Sequence, residues 1–197
     1  MACIKKIQIE DTIYEANTDF RIAIRCNEIA QDETIGDFER VLGIICTMFG
    51  GDALDNPSHY EKLLKWTLNW LSCGKEIEHT KEQPDMDYVE DMDYIEASFM
   101  SDYGIDLSET DMDWHKFSKL INGLSNSEFG NCCVLNRIRN LRSYDVSQIK
   151  DQKEKQKIIK AQKEVALKKY KKKKTITDEQ LKNAKEFYEA LGYGKEW

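Results

Sequence analysis

Three histidines, His59, His79 and His115, are the residues most able to support catalysis, because an imidazole can act as a general base near neutral pH. They are scattered along the chain, and none has a serine, a cysteine or a carboxylate at a recognisable catalytic spacing. The sequence also lacks a nucleophile elbow, a phosphate-binding loop and a dinucleotide-binding fingerprint. We therefore expect that the protein is not an enzyme.

Oxygen and sulfur atoms that could bind a metal are present, but their spacing does not fit a metal site. The acidic cluster within residues 85–93 lacks both the central glycine and the closing glutamate of a calcium-binding loop, and the segment that starts at Asp106 fails in the same way. We interpret the cluster as a solvated linker that opposes the basic C-terminal tail. The six cysteines include no CxxC pair, and Cys46 and Cys73 lie on apolar helical faces, so we interpret those two as small buried hydrophobes. No metal and no cofactor is predicted.

Large aromatic side chains are better candidates for binding a partner. Trp66 and Trp70 lie on a different side of a predicted helix from its leucines. Tyr94, Tyr103 and Trp114 all fall in the segment 93–124, where two predicted helices meet at a sharp corner. The predicted partner-binding residues are these five aromatics and three lysines of the C-terminal run, Lys171, Lys172 and Lys173.

The lysine run at residues 168–174 admits more than one interpretation. Lysines can contact phosphates, but Tyr170 is the single aromatic residue between them, which is too few for a platform that stacks bases. The net charge of −7 also argues against general nucleic-acid binding. A solvated helix end and a docking site for an acidic protein remain as alternatives.

The segment 93–124 is central to the predicted fold. Gly104 follows a helical run and suits the left-handed residue that ends a helix, and Asp106 and Ser108 are candidate N-caps for the next helix. That helix has one buried face, predicted from the spacing of its apolar residues. These residues are Trp114, Phe117, Leu120, Ile121 and Leu124.

The remaining elements follow from the same periodicities. Residues 4–16 alternate apolar and polar side chains and predict a hairpin or extended arm that turns near Glu10 and Asp11 and docks on the helices. The helix at 35–49 is the most clearly amphipathic, with Phe38, Val41, Leu42, Ile45, Met48 and Phe49 inward. Further helices are predicted from Asn17 or Thr18 to Ala30, and over 57–72, 128–142, 150–174 and from Thr177.

The sequence therefore predicts a mainly α protein: a compact multi-helix bundle with a short N-terminal β-hairpin or extended arm and a projecting, lysine-rich C-terminal helix. We predict a helical core over 1–145, with a sub-boundary at the acidic linker 74–92, and a charged helical extension over 146–197. No run approaches 18 apolar residues and the N-terminus has no apolar signal core, so we expect a cytoplasmic protein with no membrane partner.

Three stretches carry a family resemblance. They are DYIEASFMSDYGIDL at 93–107, the Trp114–Phe117 run with LINGL at 120–124, and IRNLRSYDVSQIKDQKEKQKIIKAQKEVALK at 138–168; TDFRIAIR at 18–25 adds a fourth. In their length and order these stretches resemble the phage "gene product 15" family of tail-module proteins. The resemblance extends to about Tyr170.

The resemblance implies a function that the residues alone do not give. Such proteins are encoded between the major tail protein and the tape measure protein, a position typical of tail assembly chaperones. We therefore expect a chaperone in the cytoplasm of the bacterial host that keeps the long, apolar tape measure protein soluble while the tail tube polymerises. The expected partners are the tape measure protein, the major tail protein and further copies of this chain.

Two alternatives to the chaperone hypothesis stay open. One is a structural virion protein of the tail or neck, and the other is a small DNA-binding regulator, against which the acids near Tyr103–Ser108 argue. In the chaperone hypothesis, Trp66, Trp70 and exposed aromatics near Tyr94 and Trp114 line a groove for the client. The lysine-rich helix contacts a neighbouring subunit's acidic linker or the tail tube.

Overall fold

The computed structural model describes residues 3–75, 84–126 and 132–169, and these residues are mainly α-helical, as the sequence predicts. A two-stranded antiparallel hairpin precedes seven α-helices. The elements are β1 (Ile4–Ile9), β2 (Thr12–Asn17), α1 (Phe20–Gln31), α2 (Asp37–Phe49), α3 (Tyr60–Leu71), α4 (Met92–Tyr103), α5 (Trp114–Asn122), α6 (Val134–Ser143) and α7 (Gln152–Val165), with short 3-10 helices at Gly51–Asp55, Pro57–His59 and Val146–Gln148. The chain divides into two compact units, Met1–Val165 and Ala166–Trp197.

The hairpin turns at the predicted place and packs against the helices. Glu10 has φ 54°, in the left-handed region, and pairing between Ile9 and Thr12 closes the ladder. On the buried face of the hairpin, the hydroxyl of Tyr14 lies 2.7 Å from Nδ1 of the buried His59. A two-stranded hairpin is barely stable alone, so this contact and the small apolar cluster around it hold the hairpin in place.

A short backbone ladder joins the starts of α1 and α5. Asp19 and Asp113 form an isolated antiparallel bridge, and each accepts a hydrogen bond from a backbone N–H at the start of its own helix, at 2.9 Å. These two aspartates are the N-caps. The predicted caps, Asn17 or Thr18 for α1 and Asp106 or Ser108 for α5, are therefore wrong.

The main core lies where α1, α4 and α5 meet. The rings of Phe20 and Phe117 stack with centroids 4.6 Å apart, and Phe99 stacks on Phe117 at 5.2 Å. Gly104 ends α4 with φ 65° and donates its N–H to the carbonyl of Met100, which confirms the predicted left-handed cap. The predicted buried face of α5 is also confirmed for Trp114, Phe117, Ile121 and Leu124, while Leu120 is half-buried.

The acidic segment is folded from residue 84 onward, although the sequence suggested a solvated linker. Asp91 is fully buried, and its two carboxylate oxygens accept hydrogen bonds from Arg142 of α6 at 2.6 and 2.7 Å. Asp85 accepts one from Arg139 at 3.0 Å. The linker interpretation is wrong here because two arginines of α6 neutralise these acids.

Helix α7 is shorter than the helix predicted over 150–174, since it ends at Val165. It has no buried residue. It is nevertheless attached to α6, because the side-chain amide of Gln162 donates to the carbonyls of Leu141 and Tyr144 at 3.0 and 2.8 Å. One side of the lysine-rich helix is therefore half-buried and anchored on α6, and the other side is exposed.

Several predictions fall outside the described residues. They concern residues 76–83 of the predicted linker, the predicted start of the 128–142 helix at residues 128–131, the lysines at 171–173 and the last helix after Thr177. The domain boundaries at 145 and within 74–92 stay predictions. Among the described helices, none is long and apolar enough to cross a membrane.

Candidate partner-binding surface

The predicted aromatic site is largely part of the core. Trp70 and Trp114 are each only 4% exposed. The indole N–H of Trp114, the first residue of α5, donates to the carbonyl of Leu71 at 2.9 Å, which fixes the ring against the end of α3. The expectation of an exposed aromatic residue at Trp114 is therefore wrong, and Trp70 likewise has almost no surface to offer a partner.

The fold brings the two α3 tryptophans together, with Trp66 on the outer side. The rings of Trp66 and Trp70 stack with centroids 6.2 Å apart and planes 6° apart, and His115 continues the stack beyond Trp70 at 6.0 Å. Trp66 is half-buried and also contacts Phe49 of α2, with centroids 5.8 Å apart. Of the two tryptophans, Trp66 is the one with a ring surface that a partner can reach.

The two predicted tyrosines are half-buried on α4. Tyr103 uses its hydroxyl within the fold, since it donates to the carbonyl of Leu120 at 2.9 Å. Burial raises the pKa of Tyr103, and the nearby carboxylate of Asp102 raises it further. Tyr94 packs against the main core. The predicted binding roles of both tyrosines stay predictions, and Lys171, Lys172 and Lys173 lie outside the described residues.

An apolar surface that the sequence did not predict lies along α2. Phe38 is 64% exposed, Cys46 is exposed, and Leu42 between them is half-buried. Residues four apart lie on the same side of a helix, so these three form a row, which Phe49 extends to Trp66. We call the five residues Phe38, Leu42, Cys46, Phe49 and Trp66 the apolar strip. Along α2 it is about 16 Å long, at 1.5 Å per residue.

The sequence did not separate the apolar strip from the core face of α2, because the two lie side by side on one wide apolar face of this helix. The prediction placed both Phe38 and Ile45 inward, although in the structure Ile44, Ile45 and Met48 supply the buried face. The predictions that Phe38 points inward and that Cys46 is buried are both wrong. The row at positions 38, 42 and 46 was visible in the sequence, but nothing in its spacing distinguished a second face from a wide core face.

The exposed position of Cys46 can be checked by chemical labelling. The reacting species is the thiolate. Cys26 has no exposed surface, and burial raises its pKa to about 12. We expect N-ethylmaleimide at about pH 8 to modify Cys46 in the native protein and Cys26 only after unfolding, as measured by peptide mass spectrometry. Equal rates of modification in the native state would contradict this arrangement of α1 and α2.

A polar cleft of about 590 Å³ lies between α4 and α6. Its lining includes Ser101, Asp102, Ser125 and Arg137. The Asp102 carboxylate accepts the backbone N–H of Ser125 at 2.8 Å and the hydroxyl of Ser101 at 2.9 Å, so it links the end of α4 to the end of α5.

In the part of the chain that the structure describes, no three His, Cys, Asp or Glu residues are grouped to hold a metal ion.

Comparison with known proteins gives one match. The family model described as Bacteriophage Gp15 protein matches residues 2–167. The chain belongs to the bacteriophage Gp15 protein family. It is therefore a phage protein, and the resemblance noted in its sequence is confirmed. No curated protein and no solved structure matches it. The Gp15 match spans every described helix, and it includes the whole apolar strip.

Proposed function

We propose that this Gp15-family protein is a tail assembly chaperone, which binds the tape measure protein in the host cytoplasm and keeps it soluble until the tail tube polymerises around it. The observation that carries the proposal is the apolar strip. The family resemblance supports it, because that resemblance implies a gene beside that of the tape measure protein. The proposal gives the chain no catalytic role and no cofactor.

The apolar strip has the dimensions of a site for an amphipathic helix. Such helices dock through apolar residues spaced by three or four along about three turns, and the row from Phe38 to Phe49 covers that length. Burying a Phe or Leu side chain contributes about 1.5–3 kcal/mol. Ordering both partners offsets much of this gain, so one copy would bind weakly, and several copies along a long client would bind strongly.

The charge of the protein suits a chaperone for an apolar client. A complex stays in solution when its surface carries a net charge away from zero, and this chain has a net charge of −7. Phe38 is a protruding apolar group, and Glu39 and Asp37 beside it are exposed carboxylates. The client would therefore be held on an apolar row with acidic residues at its edge.

The apolar strip can be tested by replacing two of its members on α2, the exposed Phe38 and the half-buried Leu42. We expect Phe38→Ser with Leu42→Ser to weaken capture of the tape measure protein at least about tenfold, since truncated central anchors of an interface cost about 2 kcal/mol or more. The measurement is quantitative pull-down from cells that co-express the two proteins. Protection of Cys46 from N-ethylmaleimide on client binding is a second readout at the same surface.

The matched control is Ile13→Ser, because Ile13 is 63% exposed, as Phe38 is 64%, but it is not part of the apolar strip and lies on the opposite face of the hairpin from Tyr14, which contacts Phe49. We expect this variant to bind the client like the wild type. If the control and the double variant lose binding equally, or if neither loses it, the client does not bind at the apolar strip. Melting temperatures of all three proteins identify any loss that comes from unfolding.

A further inference from the structure

The outer side of α4 combines acidic and apolar side chains. Asp93 is exposed and Glu96 is half-buried, three residues further along. Met100, seven residues after Asp93 and so on the same side of the helix, is 48% exposed, and Val89 in the turn before α4 is 49% exposed. We call these four residues the acidic face of α4. The other side of α4 packs on α6, where Ser98 accepts the N–H of Leu135 at 3.1 Å.

The outer side of α7 has the opposite charge. Lys157, Lys160 and Lys163 are exposed and follow one another at intervals of three residues. The other side of the helix is held on α6 through Gln162, so the three lysines point away from the helices that anchor α7. We call them the lysine face of α7. The pair between Lys160 and Glu164, at 4.0 Å on the surface, is too exposed to hold this lysine firmly.

We propose that the acidic face of α4 binds the lysine face of α7 in a second copy of this chain. Two neighbouring lysines and the two acids have the same spacing, three residues or about 4.5 Å of helix rise. Lysine also has a long apolar stem that can cover Val89 and Met100 while its ammonium group reaches a carboxylate. The two surfaces therefore match in charge and in spacing.

A second copy is the occupant that the charges favour. Asp85 and Asp91, which we first expected to meet the lysine-rich helix, are already paired with Arg139 and Arg142 inside the fold. The acidic face of α4 remains outward. When one copy contributes the acidic face and the other contributes the lysine face, the contact is heterologous, and the dimer still offers one unused face of each kind. Association therefore continues past the dimer into rings or chains.

This inference goes beyond the proposed function and does not depend on it, because it is measured on the chain without any client. We expect the wild-type full chain to associate in sedimentation velocity at about 0.05 M salt and to dissociate at about 0.5 M, where charges are strongly screened. Lys157→Glu with Lys160→Glu, and separately Asp93→Lys with Glu96→Lys, should each raise the dissociation constant at least tenfold.

Mixing the two charge-reversed variants is the decisive step. Each variant alone places like charges against each other, whereas an equal mixture restores opposite charges at the contact, so we expect the mixture to associate and the separate variants to remain monomeric. The control is Lys116→Glu with Lys119→Glu, a lysine pair of the same spacing exposed on α5, which should associate like the wild type. Circular dichroism checks that every variant is folded.

Four results would overturn the proposal. The first is a wild-type chain that stays monomeric at low salt, and the second is a charge-reversed variant that associates as the wild type does. The third is a folded mixture that fails to associate. Loss of association in the α5 control would also overturn it, because net charge and not the two faces would then govern the behaviour.

Discussion

Replacing Phe117 with alanine is expected to lower the free energy of unfolding by about 3–5 kcal/mol, the range for deleting a large ring from a well-packed core. Phe117 has no exposed surface and lies at the centre of the aromatic core. It stacks with Phe20 at 4.6 Å, Phe99 at 5.2 Å and Trp114 at 5.7 Å. Its loss would remove contacts with α1 and α4 at once and leave a cavity that rigid neighbouring rings fill poorly.

Urea denaturation followed by circular dichroism measures this loss. Phe38→Ala is the matched control, since it removes the same ring from a position that is 64% exposed, and we expect a change below about 1 kcal/mol. If the alanine variant of Phe117 does not fold, Phe117→Leu provides a smaller loss in the same direction. Equal effects at positions 117 and 38 would show that the core does not centre on α5.

Replacing Arg142 with methionine should also be strongly destabilising, by about 3–5 kcal/mol, because it leaves the buried Asp91 carboxylate without its cation. Arg142 donates to both oxygens of Asp91 and to the carbonyl of Asp85 at 2.9 Å. The side chains of the pair are 11% and 1% exposed. The hydrogen bonds that Arg142 donates to Asp91 raise the pKa of Arg142, so its guanidinium group stays charged throughout the usual pH range.

The same helix supplies a control for the ion pair. Arg139 pairs with Asp85 at 3.0 Å, but these side chains are 33% and 44% exposed, so Arg139→Met should cost less than about 1 kcal/mol. Both losses are read from the midpoint and slope of urea unfolding. A loss at Arg142 as small as the one at Arg139 would mean that water reaches Asp91 and that the acidic segment is not fixed to α6.

Local features of this fold were predictable from sequence because they depend on neighbouring residues. Alternation gave the hairpin and its turn at Glu10 and Asp11, and the glycine after Tyr103 indicated the end of α4. The spacing from Trp114 to Leu124 gave the buried face of α5. In each case, steric limits on the backbone or a simple period determined the result.

The predictions that failed concern features that depend on residues far apart in the chain. Asp91 is buried because Arg142, 51 positions later, reaches it, and no local pattern distinguishes such an acid from a solvated one. Asp113 caps α5 because its backbone pairs with Asp19. The exposure of Phe38 depends on which part of the wide apolar face of α2 the other elements cover. Tertiary packing therefore determines the burial of Asp91, the capping of α5 by Asp113 and the exposure of Phe38.

The chaperone proposal is tested most directly by co-expressing the full chain with the tape measure protein of the same phage, followed by pull-down and light scattering. We predict a soluble complex with several copies of this chain for each tape measure protein, and no copies in purified mature particles. An insoluble tape measure protein beside a free chain would contradict the proposal. Stable presence of the chain in mature particles would instead indicate a structural protein of the tail or neck.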